Sequence, residues 1–360
     1  MRQLATIREV AALRPIKGAD RIEVAQIDGW ECVVKKGEFK VGEPVVYIEV
    51  DSIVPERPEF EFLRDRKFRV RTIKLRGQIS QGLVLPLSVL PKSTPCRIGS
   101  DVTEILGIKK YDPQAQQEAQ LLAKNKKRRN PLEKFLMRFK WYRSIAVKKS
   151  GKSAFPDWIA KTDEQRIQNM PMTFDGERDR GTKFSVTEKV DGQSATYYLK
   201  RISKHRCEFG VCSRNLRLTK PDDSSYWQIA QKHHIETVLN NLINDYKTVV
   251  LQGEICGPSI QRNKYGFDGY RFFAFNLIFP GHHCSTTEIQ KYLEPFGIHT
   301  VPIVETEKTL PASIADIVDY SKGESVLKKG QQREGVVMRS ANCETSFKVI
   351  NPNFLLAEED

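Results

Sequence analysis

The chain has 360 residues, of which 39% are hydrophobic and 29% are charged. This length allows two domains with separate cores, and the composition is typical of a soluble globular protein. No apolar run approaches the roughly 20 residues of a membrane-spanning helix, so we expect no contact with a membrane. The N-terminal sequence MRQLATIREV lacks the apolar core of a secretory signal. It therefore predicts an intracellular protein, with cytoplasm and nucleus left open.

The formal net charge is +13, and most of the excess lies in one segment. Residues 109–152 contain 14 lysines and arginines against three acidic residues, which leaves a surplus of 11 positive charges. A surplus of this size indicates a polyanionic partner. The run KNKKRR (124–129) within it is equally consistent with a solvated linker, a nuclear-import patch or a nucleic-acid contact.

Seven cysteines are scattered along the chain without any C-x-x-C pair. This distribution argues against a disulfide framework and against a zinc site. The sequence His282-His283-Cys284 is the one tempting cluster. We interpret it as a polar turn, because adjacent ligands without a distant pair do not complete a tetrahedron.

The alternating polarity of residues 1–105 predicts short strands separated by turns that contain Gly, Pro and Asp. About five strands in a segment of this length favour an OB-like β-barrel over a sandwich. The predicted strands are Arg21–Ile27, Trp30–Val34, Pro44–Glu49, Phe68–Lys74 and Gly82–Pro86.

Residues 106–150 predict a basic helical connector, with helical periodicity over Gln114–Lys127 and Leu132–Val147. Residues 151–360 return to strands, interrupted by predicted helices at Ser225–Asp245 and Thr286–Phe296, the second capped by Ser285 or Thr286. Strand and helix do not alternate as in a βαβ protein. The fold class is therefore α+β, with antiparallel sheets and flanking helices in the second domain.

Lys189 stands in the K-x-D-G sequence Lys189-Val190-Asp191-Gly192 after a predicted strand. A lysine amine is protonated near pH 7, so it becomes a nucleophile only when its surroundings lower its pKa. By itself the pattern is more typical of a surface turn. Five further islands follow in order: Ser213-Arg214-Asn215, Gln252-Gly253-Glu254, Arg271–Phe279, Arg333-Glu334-Gly335 and Ser346-Phe347-Lys348. In Arg271–Phe279, alternation predicts that Phe273, Phe275, Leu277 and Phe279 share one face.

The ordered set resembles the motifs of the covalent nucleotidyltransferases, which include ATP-dependent DNA and RNA ligases and GTP-using capping enzymes. The resemblance covers about residues 183–351. It implies that Lys189 is the nucleophile that forms lysyl-AMP and that Glu334 and Lys348 also act in catalysis. The nucleotide-binding residues it implies are Glu188, Arg214, Glu254, Phe275 (with Phe273 as the other candidate for the purine-stacking aromatic) and Lys348.

The same resemblance implies a divalent ion, Mg²⁺ or Mn²⁺, held by Asp191, Glu254 and Glu334. These carboxylates are hard oxygen donors and suit such ions better than zinc. One position departs from the family pattern. Related ligases often have two lysines spaced as K-x-K in the last motif, whereas position 346 is serine, so either the partner lysine is supplied elsewhere or the alignment of Lys348 is shifted.

The position of the extra domain distinguishes the branches of the family. DNA ligases and capping enzymes carry an OB domain after the last motif, whereas residues 349–360 leave no room for one. An N-terminal OB module resembles the RNA ligases typified by the Naegleria and Deinococcus enzymes. It implies an ATP-dependent RNA ligase that joins 3′-OH and 5′-phosphate RNA ends, with nicks in duplexes as the expected substrate.

An OB barrel binds nucleic-acid backbones through a basic groove, so we expect RNA contacts from Lys17, Arg71, Lys74 and Arg76. Nothing in the sequence suggests more than a monomer. The alternatives are a DNA ligase, a GTP-dependent capping-type enzyme, and an RNA-binding protein with an inactive nucleotidyltransferase domain.

Overall fold

The computed structural model describes residues 3–112, 136, 138–139 and 151–357. The two predicted connector helices lie outside these ranges, apart from isolated positions. Among the described residues, no helix combines the length and the apolar character that crossing a membrane requires. The boundaries of the predicted domains stay predictions, although the N-terminal core includes Leu106 and Ile108.

The N-terminal domain consists of short antiparallel strands, as predicted for an OB-like barrel. Its main sheet has the order β3-β2-β1-β4-β9, and two smaller sheets pair β10-β5-β6 and β7-β8. In chain order the strands are β1 (Ala5–Pro15), β2 (Ile22–Ile27), β3 (Trp30–Lys35), β4 (Pro44–Ile48), β5 (Ser52–Ile53), β6 (Arg69–Val70), β7 (Thr72–Leu75), β8 (Gln78–Gln81), β9 (Leu83–Pro86) and β10 (Lys109–Lys110).

The strand β1, which was not among the predicted strands, organises this domain. Its first half pairs with β4 and its second half pairs with β2, with an irregularity between Val10 and Ala12. A bulge at such a point increases the local twist and lets one strand belong to two sheets. Ile7 packs in one apolar core with Val46, and Val10 packs in another with Val45. Because neighbouring residues of β4 face opposite sides, the two cores lie on opposite faces of the sheet.

The second domain contains two larger sheets. One has eight strands in the order β11-β15-β14-β13-β16-β17-β18, with β19 beside β17, and the other has the order β20-β12-β21-β22. In chain order the strands are β11 (Lys152–Ala154), β12 (Phe184–Glu188), β13 (Gln193–Ser203), β14 (Arg206–Cys212), β15 (Leu216–Leu218), β16 (Thr248–Cys256), β17 (Arg271–Phe279), β18 (His282–His283), β19 (His299–Thr300), β20 (Ile303–Lys308), β21 (Gly335–Ser340) and β22 (Ser346–Ile350).

Helices flank these sheets, as predicted for the α+β class. Following the short N-terminal α1 (Thr103–Leu106), they are α2 (Pro171–Asp179), α3 (Ser225–Lys232), α4 (Ile235–Ile243), α5 (Thr286–Leu293), α6 (Ile314–Ser321) and α7 (Pro352–Ala357). The predicted helix Thr286–Phe296 is confirmed as α5 followed by a 3₁₀ turn. Ser285 caps it through a capping box with Glu288.

The predicted helix Ser225–Asp245 is instead two helices. His234 adopts a left-handed backbone conformation with φ of 47°, which ends α3 and allows α4 to start in a new direction. The apolar residues of both helices, such as Ile229 and Leu239, pack on the eight-stranded sheet. The sequence carried a signal for this break, because the buried residues end at Ala230 and resume five positions later at Ile235, which is not a helical spacing.

The two domains meet through buried polar contacts. The indole Nε1 of Trp30 donates to Oδ1 of Asn169 at 2.7 Å, and Nδ2 of Asn169 donates to Oε1 of Glu49 at 2.7 Å. Gly29 makes a close approach beside them, since a Cβ there would lie 2.7 Å from a methyl of Ile314. Asn169 therefore bonds at once to one hydrogen-bond donor and one acceptor of the N-terminal domain.

We predict that Asn169→Ala destabilises the protein by about 1–3 kcal/mol, because it leaves the Trp30 indole and the Glu49 carboxylate without this partner. Urea unfolding measures the change. The control is Asn240→Ala, which removes an exposed asparagine that bonds only within α4. Equal midpoints for the two variants would contradict the assigned role of Asn169.

Candidate active site

Lys189 follows directly after β12 and lies against the start of β21. Its backbone N–H donates to the carbonyl of Gly335 at 3.0 Å, and its Nζ lies 2.6 Å from both carboxylate oxygens of Glu334. Gly335 has a φ of 153°, and a Cβ there would lie 2.2 Å from the carbonyl oxygen of Val349. Glycine is thus required after Glu334 for β21 and β22 to pair closely while Glu334 faces the lysine.

The glycine of the K-x-D-G turn has a similar steric reason. A Cβ on Gly192 would lie 2.5 Å from the carbonyl oxygen of Ile255, so the turn packs directly on β16. This packing fixes Asp191, whose N–H donates to the Tyr265 hydroxyl at 2.9 Å. The Asp191 carboxylate pairs with Nζ of Lys264 at 2.6 Å.

Glu254 lies on β16, where its backbone pairs with Ser194 of β13 and Phe273 of β17. Burial, opposed by the charge of Lys189 and reinforced by that of Glu334, raises the pKa of Glu254 to about 8. For Lys189, burial alone would lower the pKa of the amine. The nearby carboxylates of Glu334, Glu254 and Asp191 reverse that effect and raise it.

The site holds more acidic groups than amines, with Asp191, Glu254 and Glu334 against Lys189 and Lys264. Such a set fits a divalent cation with a preference for oxygen ligands, as predicted for Asp191, Glu254 and Glu334. The carboxylate oxygens of Asp191, Glu254 and Glu334, taken one from each residue, do not all lie within 4.8 Å of one another. A hydrated ion such as Mg²⁺ suits this spacing, because it reaches carboxylates through its own water.

Lys348, on β22, extends toward the same site. Its Nζ lies 3.2 Å from Oδ1 of Asp163, while Nζ of Lys110 lies 2.8 Å from Oδ2 of the same carboxylate. Arg214 approaches Asp163 at 3.7 Å. Although burial alone would favour the neutral acid, these three cations hold the pKa of Asp163 well below its usual range. Asp163 therefore serves as a shared counter-ion for three positive side chains.

One of the two aromatic candidates, Phe275, lies at a β-bulge in β17. Gln252 pairs with Asn276 and Gly253 with Ala274, so Phe275 is an extra residue between two regular pairs. The bulge reverses the alternation. Leu277 and Phe279 pack in the main core with Phe272 and Ala274, whereas Phe273 and Phe275 lie on the other side. The prediction that Phe273, Phe275, Leu277 and Phe279 share one face is thus wrong.

Of the two aromatic candidates, Phe275 is the one that lines the central cavity. Phe273 is only 6% exposed and packs beneath it. The geometry therefore favours Phe275 as a stacking surface for a planar ligand.

Glu188 is buried, and its carboxylate bonds to the polypeptide. It accepts from the Ser325 hydroxyl at 2.5 Å and from the Val326 N–H at 2.8 Å. Burial outweighs these bonds and raises the pKa of its carboxyl. The side chain thereby fixes the segment that precedes Glu334. A contact between its backbone and a base stays a prediction.

The residues predicted to bind nucleotide or metal border one cavity of about 460 Å³, a size that suits a nucleotide. The second domain contributes Lys189, Asp191, Arg214, Glu254, Phe275, Glu334 and Lys348 to its walls. The N-terminal domain and the residues after it also contribute, with Asp51, Arg69, Lys110, Tyr111 and Asp112. The cavity can hold a triphosphate at its cationic side, a base on Phe275 and a cation at the acids.

Comparison with known proteins agrees with this geometry. A family model described as RNA ligase matches residues 182–350, and one described as OB-fold domain matches residues 4–87. Among solved structures, a Naegleria gruberi RNA ligase mutant with ATP and Mn is 33% identical, with a TM-score of 0.81 and 100% of each chain covered. The Naegleria gruberi RNA ligase with PPi is 33% identical, with a TM-score of 0.80, and covers 99% of this chain and 98% of that one. No curated protein matches.

The chain belongs to the RNA ligase family. The predicted family, the N-terminal OB fold and the antiparallel second domain are therefore confirmed. For this RNA ligase, all the residues predicted to bind nucleotide or metal line a single cavity.

Sequence reasoning missed the part of the RNA ligase site that surrounds Asp163. This residue, Lys110 and Arg166 belong to no motif, and the contact between Lys348 and Asp163 joins residues 185 positions apart. Their one sequence signal is charge, which is common on any surface. Ser346 also has a partner there, since its hydroxyl donates to Glu164 at 2.9 Å.

The residues predicted to contact RNA are not among those that line the cavity around Lys189. Lys74 and Arg76 are exposed on the β7–β8 hairpin, and Lys17 is exposed in the turn after β1. Arg14, at the end of β1, bonds to Gln78 of the hairpin at 3.3 Å, which brings the two turns to one end of the barrel. Arg71 is half-buried before β7, with its Nε buried.

The raised pKa of Glu254 predicts a pH-dependent stability for this RNA ligase without divalent metal. Between pH 4.5 and about 8, the folded protein keeps a proton on Glu254 that the unfolded chain has released. Stability contributed by this proton is complete below pH 4.5 and is lost as the pH rises through about 8.

In EDTA, the melting temperature of the wild type should therefore fall relative to that of Glu254→Gln between about pH 5 and pH 9. Glutamine has the shape of the protonated acid and does not titrate, so other ionisable groups cancel in the difference. If the melting temperatures of the wild type and of Glu254→Gln change with pH in parallel over this range, the pKa of Glu254 is not raised.

Proposed function

We propose that this RNA ligase uses ATP and a divalent cation to join a 3′-OH end to a 5′-phosphate end of RNA, acting on nicks in duplexes. The observation that carries the proposal is the position of Lys189. Its amine lies 2.6 Å from Glu334, in one cavity with Glu254, Lys348 and the aromatic surface of Phe275. The ATP and Mn present with the Naegleria gruberi enzyme support the choice of nucleotide and metal.

In the first step, Nζ of Lys189 attacks the α-phosphorus of ATP and pyrophosphate leaves, which forms a lysyl-AMP phosphoramidate. In the second, a 5′-phosphate oxygen of RNA attacks the adenylate phosphorus and releases the lysine. In the third, the 3′-OH attacks the activated 5′-phosphate, the phosphodiester forms and AMP leaves. Each step exchanges one P–O or P–N bond for another, so no oxidant or reductant is needed.

Lys189 must lose its proton before it attacks, and in the metal-free site the carboxylates oppose that loss. A divalent cation at Asp191, Glu254 and Glu334 would supply the opposing positive charge and favour the neutral amine. Phe275 stacks the purine, and Arg214 lies on the same cavity wall to bind the nucleotide. Lys348 binds the α-phosphate, whose charge replaces that of Asp163 as its partner.

Related ligases carry a second lysine beside the last motif lysine, and this chain has Ser346 at that position. Lys110 supplies the missing positive charge instead. Support comes from Asp163, which contacts Lys348 and Lys110 through its two oxygens at 3.2 and 2.8 Å. When a phosphate displaces Asp163, both amines are available to it.

The OB domain and the basic segment 109–152 bind the RNA backbone of a nicked duplex without reading its bases. The exposed Lys17, Lys74 and Arg76 support this role at one end of the barrel. The enzyme acts inside the cell as a monomer.

Incubation with α-³²P-labelled ATP and Mg²⁺ should label the protein, and labelled GTP should not. Lys189→Ala should abolish the label, because no other described lysine lies within ion-pair distance of Glu334. Lys183→Ala is the control, since Lys183 forms only an exposed pair with Glu307. Labelling of the Lys189→Ala variant would contradict the mechanism. Preferential labelling by GTP would indicate a capping-type enzyme.

Lys110→Ala should slow formation of lysyl-AMP or of the phosphodiester by at least about tenfold, since one charge near the transferred phosphate is removed. Lys109→Ala serves as the matched control, because Lys109 is the adjacent exposed lysine. Single-turnover assays on both variants decide the step. Equal rates for the two variants would exclude Lys110 as the second cation.

Replacing Lys17, Lys74 and Arg76 together by alanine should raise the KM for a nicked RNA duplex by roughly tenfold and leave adenylylation unchanged. A control variant replaces three exposed lysines of the second domain: Lys204, Lys291 and Lys329. Comparing nicked duplex with single-stranded ends, and RNA with DNA strands, tests the substrate. Faster sealing of single strands or of DNA would overturn the proposed preference.

A further inference from the structure

A second cluster of metal-ligating side chains lies at the N-terminus of α5. One ligand atom each from His282, Cys284 and Glu288 lie within 4.8 Å of one another, and no other such group occurs among the described residues. His282 belongs to β18, Cys284 follows that strand, and Glu288 is on the first turn of α5. The three residues supply nitrogen, sulfur and oxygen donors in a single small volume.

Each donor in this cluster is available. One carboxylate oxygen of Glu288, Oε2, caps the helix by accepting from the Ser285 N–H at 2.8 Å. The other, Oε1, lies 3.4 Å from Nε2 of His282. The thiol of Cys284 is buried and bonds to no described residue. Glu288 can therefore keep the capping box intact and still offer an oxygen to an ion.

The cluster supplies three ligands and leaves a fourth position open. The sequence offered no distant partner for His282 and Cys284. The fold supplies Glu288, because the capping box at the start of α5 holds its carboxylate beside them. Three protein ligands and a water molecule complete a tetrahedral zinc site.

We propose that His282, Cys284 and Glu288 bind one Zn²⁺ ion, with water as the fourth ligand. Nitrogen, oxygen and sulfur donors together are a combination that zinc accepts in tetrahedral sites, and a thiolate disfavours Mg²⁺ and Ca²⁺. The site differs in chemistry from the acids around Lys189, which offer only oxygen. Zinc displaces the thiol proton when it binds, so its affinity rises with pH.

The position of the cluster gives the ion a structural task. It lies at the edge of the eight-stranded sheet, where β18 leads into α5. Thr286 and Ile289 of α5 line the central cavity. A bound zinc ion thus holds β18 against the first turn of α5, beside the nucleotide site.

The test is a titration of the full-length, chelator-treated and reduced protein with Co²⁺, followed by Zn²⁺. One equivalent of Co²⁺ should give thiolate-to-metal absorption and the intense visible bands of tetrahedral coordination, and Zn²⁺ should abolish both. His282→Ala should weaken binding by at least roughly tenfold. Its control is His205→Ala, an exposed histidine in the β13–β14 turn.

Cys284→Ser should remove the thiolate absorption, with Cys96→Ser, an exposed cysteine elsewhere, as control. Zinc should also raise the melting temperature of the wild type and of both control variants, but not of His282→Ala. Because Cys284 is buried and its variant could unfold, the exposed His282 keeps the test valid. Absence of thiolate absorption, or its persistence in Cys284→Ser, would overturn the proposal.

Discussion

The ion pair between Lys189 and Glu334 is the interaction on which the active site depends. It holds the amine at the junction of β12 and β21, within reach of Glu254 and Asp191. The same carboxylates keep the amine protonated, so the metal-free site stores Lys189 in an unreactive form. In the proposed mechanism, a cation at the acids supplies the positive charge that favours the neutral amine.

The fold places opposite charges on two sides of one cavity. Glycines at 192 and 335 allow backbone contacts too close for any side chain, and so bring the acids of β16 and β21 to the lysine. On the cationic side, Asp163 holds Lys110, Arg214 and Lys348 together. Asp51 and Arg69 of the N-terminal domain also line the cavity, so both domains contribute to its wall.

Much of this site could be predicted from sequence, because its motifs are short and keep their order. The strands that carry Lys189, Glu254, Glu334 and Lys348 follow from alternation and from glycine positions, and the antiparallel sheets follow from the absence of βαβ order. The predictions were wrong where local geometry interrupted a regular pattern. Phe275 is an extra residue in β17, and His234 divides the predicted helix where the buried residues skip from Ala230 to Ile235. Contacts between distant residues, such as Lys110 with Asp163, leave no local signal at all.

The central claim is that Lys189 itself becomes adenylylated. Peptide mapping by mass spectrometry, after incubation of the protein with ATP and Mg²⁺ and digestion at neutral pH, locates the adenylate. The account predicts one AMP per chain, on the peptide that contains Lys189, in an acid-labile linkage as expected for a P–N bond. An adenylate on any other residue, or an acid-stable linkage, would contradict it.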